Sequence, residues 1–156
     1  MPSRQLIDDF LAQDHVAVVG VSRNPKHFAN SVYRRLRDDG RGRTLHPVNA
    51  AADGAEVEGT PSFRSLADVP DPLDGVLVMV PAEAAADIVR DAVARGVPRV
   101  WLHKGAGPGS VTPEAIAVAR QAGLDLVDGA CPLMFDEPVT GIHRLHQFFV
   151  RGRLAA

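Results

Sequence analysis

H-V-A-V-V-G-V-S-R-N-P-K-H-F-A-N-S, His15 to Ser31, is an apolar run that ends on a glycine and opens into a loop of Ser, Asn and basic residues. The near-continuous β-branched residues of 15–20 predict a strand buried on both faces. Residues 30–39 follow with Val32 and Leu36 at helical spacing, and Gly40 offers a left-handed stop. Strand, glycine turn and helix together form the first half of a βαβ unit.

The pattern repeats outward from this stretch. Further apolar runs at 43–48, 75–80, 99–103 and 124–128 predict four more strands. Helical segments fill the gaps at 82–95, closed by Gly96 and Pro98, and at 112–122, opened by Thr112 and Pro113. An extra helix is predicted at 3–13, from Leu6, Ile7, Phe10 and Leu11, and a last one at 142–150. Residues 56–60 are read as a short edge strand and 65–68 as a helical turn. Strands alternating with helices predict a doubly wound α/β fold: a mostly parallel sheet of about five strands, Rossmann-like, in three α/β/α layers. The 156 residues fit one domain spanning 1–156.

Composition narrows the function. Seventeen basic and 19 acidic residues leave a net charge of −2, which gives no footprint for duplex nucleic acid or an anionic membrane. One cysteine excludes an internal disulfide and a multi-cysteine zinc site. No stretch is apolar enough for a membrane span, and acids stand where a signal peptide needs an apolar run. The expectation is a soluble, cytoplasmic protein.

In such folds ligands bind beyond the carboxyl ends of the strands. The first loop supplies Gly20, Val21, Ser22, Arg23, Asn24, Lys26, Asn30 and Ser31, and the helix that follows offers free amides and a positive dipole end to a phosphate. The dinucleotide fingerprint is altered here: Ser22 and Pro25 replace its second and third glycines. The second strand ends in Pro47, Val48 and Asn49, with no acid for a ribose hydroxyl. That absence suits a ribose carrying a phosphate, as in NADP or coenzyme A. Val80 and Pro81 follow the third strand, Lys104 and Gly105 the fourth, and Cys131 and Pro132 the fifth. Cys131 has no activating partner nearby in sequence, so it is read as a packing residue rather than a nucleophile. His143 and His146 share a helical face without a metal motif around them and are read as surface or contact residues.

Taken in order, G-V-S-R-N-P-K, H-P-V-N, V-P-A, W-L-H-K-G and D-G-A-C-P resemble the small single-domain CoA-binding proteins, which are similar to the CoA-binding domain of the succinyl-CoA synthetase α-subunit. The resemblance runs from about Leu6 to Leu145. It implies that coenzyme A lies across the first loop, with Gly20, Ser22, Arg23 and Asn24 flanking the phosphates. Pro47, Val48 and Asn49 would lie near the nucleotide, and Val80 and Pro81 would form a wall. Lys104, Gly105, Cys131 and Pro132 would border the pantetheine end. It implies binding of coenzyme A or an acyl-CoA, does not support ligase activity, and favours a non-catalytic CoA-binding protein over an enzyme. Two other functions stay open: an NAD(P)-dependent oxidoreductase, and a ligand-responsive regulatory or subunit module. Phe148 and Phe149 are read as covering the domain or a second copy of the chain in a homodimer.

Overall fold

The computed structural model describes residues 2–52, 54–105, 107 and 109–135. Five strands form one fully parallel sheet: β1 (His15–Val19), β2 (Thr44–Val48), β5 (Gly75–Val78), β6 (Arg99–His103) and β7 (Asp125–Ala130), in the spatial order β2-β1-β5-β6-β7. A separate antiparallel hairpin, β3 (Glu56–Val57) and β4 (Thr60–Pro61), lies between β2 and β5 in sequence. The chain leaves β1 toward β2 on one side and returns to β5 on the other. The strand order therefore reverses between β1 and β5, and this switch point is where such sheets open a crevice.

Each strand sends alternate side chains to opposite faces. Val16, Val18, Leu77, Trp101 and Val127 pack on one face with Ile7, Phe10 and Leu11 of α1 (Arg4–Leu11) and Val32, Tyr33 and Leu36 of α2 (Phe28–Arg37). Ala17, Val19, Val76, Val78, Val100 and Leu102 pack on the other with α3 (Ala82–Arg95) and α4 (Pro113–Gln121). The doubly wound, three-layer fold is therefore present. Local chemistry sets the helix ends. Ser3 accepts from the Leu6 N–H, Thr112 accepts from the Ala115 N–H ahead of Pro113, and Gly96 ends α3 at φ 75°. Phe10 meets Trp101 edge to face at 5.4 Å, seating α1 on the sheet.

Two expectations need revision. Residues 56–60 are not a strand on the sheet edge. Glu58 at φ 51° and Gly59 at φ 77° turn them into a hairpin, and Phe63 alone bridges to the β2 edge. The last strand extends two residues past its predicted end, because a bulge at Gly129 lets His103 pair with Ala130. The helical turn expected at 65–68 is present as a 3-10 turn, Leu66–Asp68, in which the Ser65 hydroxyl donates to Asp68. The predicted helix at 142–150, with His143 and His146, lies outside the described residues.

Candidate functional site

The loop after β1 is forced into place by one glycine. Gly20 has φ 113°, and a Cβ there would sit 2.2 Å from the Met79 carbonyl oxygen at the end of β5. Only glycine allows the two strands flanking the switch point to come that close. Gly20 therefore puts the loop over the crevice.

Two asparagines then hold the loop from behind. The Asn30 Oδ1 accepts from the Ser22 N–H at 2.8 Å, and its Nδ2 donates to the Ser22 carbonyl at 2.6 Å. The Asn49 Nδ2 donates to the Val21 carbonyl at 2.9 Å. Within the loop, the Asn24 N–H donates to the Ser22 hydroxyl and the Lys26 N–H to Asn24 Oδ1. Asn30 is buried, and its side chain is occupied by the loop backbone and by Glu58. Ser31 accepts from Arg34.

Glu58 is a site residue that sequence reasoning missed. It stands in the hairpin turn and accepts from Asn30 Nδ2 at 2.8 Å and from Arg34 Nη1 at 2.6 Å, while its carbonyl accepts from Arg37. The hairpin thus braces Asn30, and Asn30 braces Ser22. A Glu-Gly pair between short β-prone segments was the available signal.

Arg23, Asn24 and Lys26 are exposed on the outer side of this loop. Among the described residues, Arg23 and Lys26 make no ion pair. The residue at the amino end of α2 is His27, and its side chain makes no capping hydrogen bond. Loop cations and a helix end without a side-chain cap therefore face outward together, an arrangement suited to an anion.

The other predicted residues stand at the carboxyl ends of β2, β5, β6 and β7. Pro47 and Val48 are buried within β2, with Asn49 at its end. Val80 and Pro81 follow β5, and the Ser110 hydroxyl ties both backbone groups of Val80, accepting from its N–H at 3.0 Å and donating to its carbonyl at 2.7 Å. Lys104 and Gly105 are exposed past β6, and the Lys104 N–H reaches the Ala130 carbonyl at 3.4 Å. Cys131 points into the core beside Met134 and Phe135, and burial pushes its thiol up to about 11. It is protonated at neutral pH and a poor nucleophile. Pro132 is buried at the start of a 3-10 turn, Pro132–Met134.

His103 links the end of β6 to α2. It ends β6 with 7% exposure, and its ring lies 5.5 Å from that of Phe28, the first residue of α2. Burial lowers its pKa to about 4, so the imidazole is neutral. Phe28 itself is 44% exposed. His103 therefore brings the turn after β6 against the helix that follows the first loop.

Concavity alone does not point here. A cleft of about 760 Å³ lies at the opposite, amino-terminal end of the strands, lined by Arg4, Asp8, Asp9, Arg99 and Asp125 among others. There Arg4 pairs with Asp8 at 2.8 Å and Arg99 with Asp9 at 2.5 Å.

Comparison with known proteins gives the family. A family model described as a CoA binding domain matches residues 14–136. The alpha subunit of acetate–CoA ligase (ADP-forming) II from Pyrococcus furiosus is 24% identical over 133 residues, covering 81% of this chain and 28% of the relative. The alpha subunit of isoenzyme I from the same organism is 26% identical over 108 residues, covering 68% of this chain and 23% of the relative. The chain spans about a quarter of the length of these curated relatives. Among solved structures, a hypothetical protein from Pyrococcus horikoshii OT3 superposes with a TM-score of 0.75 at 28% identity, covering 88% of this chain and 92% of that one. The dinucleotide-forming acetyl-coenzyme A synthetase 1 of Ca. Korarchaeum cryptofilum shares the fold, with a TM-score of 0.65 at 22% identity over 77% of this chain and 26% of that one.

Proposed function

This chain belongs to the CoA-binding domain family, and from that premise we propose that it binds coenzyme A or an acyl-CoA across the carboxyl end of the sheet. The phosphates sit at Gly20, Val21, Ser22, Arg23, Asn24 and Lys26. Asn30 and Ser31 hold that loop, Pro47, Val48 and Asn49 border the nucleotide, and Val80 and Pro81 form a wall. Lys104, Gly105, Cys131 and Pro132 border the pantetheine end, the last two through their backbone. No reaction is assigned.

One observation carries this reading. The loop at the switch point is braced from behind by Asn30 and Asn49, while Arg23 and Lys26 stay unpaired among the described residues. A phosphate there would meet a preformed backbone and cations that need not first break ion pairs.

A thermal-shift titration with CoA, acetyl-CoA, NAD and NADP tests it. A ligand at a hundred times its Kd adds about 2.7 kcal/mol to a folded state that alone binds it. At this chain length that is a rise in Tm of roughly 5–10 °C. The expected shift comes with the two CoA species and shrinks when Arg23 and Lys26 are both replaced by Ala. A shift with NAD or NADP alone would support the oxidoreductase reading instead.

A second reading has its own support: the curated relatives are alpha subunits of acetate–CoA ligases. On that basis the domain presents CoA to a partner chain or to a second copy of itself. Light scattering with and without CoA tests this reading. An unchanged monomer mass would oppose the second-copy form.

A further inference from the structure

We infer that His103 recognises a carbonyl group of the bound ligand, donating a hydrogen bond from Nε2, with the Phe28 ring as the apolar wall beside it. The inference rests on the coenzyme A reading above and adds a residue that reading does not use.

The His103 Nε2 is buried and has no hydrogen-bond partner among the described residues. An unpaired buried polar atom costs folding free energy, and a partner supplied from outside the fold would remove that cost. The position says what that partner is. His103 stands at the carboxyl end of β6, against the helix that follows the phosphate loop. Gly105 packs against the edge of the imidazole without a side chain of its own, since a Cβ there would approach His103 Cε1 to 3.3 Å. Gly109 is required beside it, since a Cβ there would meet the His103 carbonyl oxygen at 2.5 Å.

The surroundings select an uncharged group. The half-exposed Phe28 ring is apolar, and the imidazole is held neutral by burial. A neutral N–H beside an aromatic wall suits a carbonyl on an aliphatic chain better than a carboxylate, which would call for a paired cation. His46 differs, although its Nε2 is also unpartnered. It lies within the edge strand β2 against Phe63, away from the loop after β1. In an acyl-CoA the carbonyl can come from an amide of the pantetheine arm or from the thioester.

Isothermal titration of wild type, H103L and H103Q with CoA and with acetyl-CoA tests this, together with the Tm of each protein without ligand. H103L is expected to weaken binding about tenfold, the loss of one hydrogen bond. Its unliganded Tm should stay level or rise, because the unpaired donor is gone. H103Q keeps a donor at similar reach and should stay within about threefold of wild type. Equal weakening for both ligands assigns the carbonyl to an amide, and weakening for acetyl-CoA alone assigns it to the thioester. Both results support the inference. It is overturned, with the binding reading intact, if H103L binds both ligands as wild type does. It is also overturned if Tm and affinity fall together and Gln restores neither. If wild type binds neither CoA nor acetyl-CoA, the binding reading and this inference fall together, and no variant is needed to see it.

Discussion

The two ends of the sheet carry similar residue types and use them in opposite ways. At the amino-terminal end, Arg4 and Arg99 line a cleft and are each matched by a carboxylate on α1. At the carboxyl end, asparagine side chains are turned inward on the loop backbone, Arg23 and Lys26 are left without ion pairs among the described residues, and a buried imidazole lacks a partner. In the cleft, both arginines are already spent on ion pairs. Unspent hydrogen-bonding and charge capacity is what makes the carboxyl end the candidate ligand site.

This contrast can be broken most sharply at Gly20. Gly20→Val puts a branched side chain at φ 113° against the Met79 carbonyl oxygen. A loss of about 3 kcal/mol or more in urea unfolding is expected, with loss of CoA binding. A fully stable Gly20→Val would show that the strands can separate and that the loop is not fixed as described.

Acid should separate the two ends next. His103 is held neutral down to about pH 4, whereas in the unfolded chain it takes up a proton near 6.5. Its folded pKa lies below its unfolded one, so between those values the unfolded chain binds more protons and stability falls as pH falls. The stability of wild type minus that of H103L should drop by up to about 3 kcal/mol from pH 7 to pH 4. A difference that does not change with pH would mean the imidazole is not desolvated.

Asn30→Ala comes third. It removes three hydrogen bonds, two to Ser22 and one to Glu58, at a cost of about 2 kcal/mol. CoA affinity should fall at least as steeply, because the loop loses its brace. The smallest effect belongs to the other end. Asp9→Asn breaks the half-exposed pair with Arg99, should cost under about 1 kcal/mol, and should leave CoA affinity unchanged. A clear loss of CoA binding in Asp9→Asn would reverse the assignment of the two ends.

The five strands and the helices between them were legible in the sequence because buried parallel strands read as apolar runs and the helices carry their own stop and cap residues. Thr112, Pro113 and Gly96 are signals of that local kind. The loop residues from Gly20 to Lys26 were legible for the same reason. What was not legible depends on contacts between distant residues. Asn30 looked like a free donor until the fold placed Ser22 and Glu58 on it. His103 read as the last residue of a strand, and its isolation depends on Phe28, 75 positions earlier in the chain. Glu58 was missed because glutamate is an unusual choice at positive φ, and the arginines that hold it there lie on α2.

The hydroxyl of Ser110 has a consequence of another kind. By answering both the N–H and the carbonyl of Val80, it acts as a one-residue substitute for a neighbouring strand just where the sheet runs out. That stretch of wall therefore has no free backbone donor, since the Val80 N–H is spent and Pro81 has none. A flat ring lying against Val80 and Pro81 would be held by contact and exclusion of water rather than by polar recognition, so this side of the crevice would grip its guest without reading its identity.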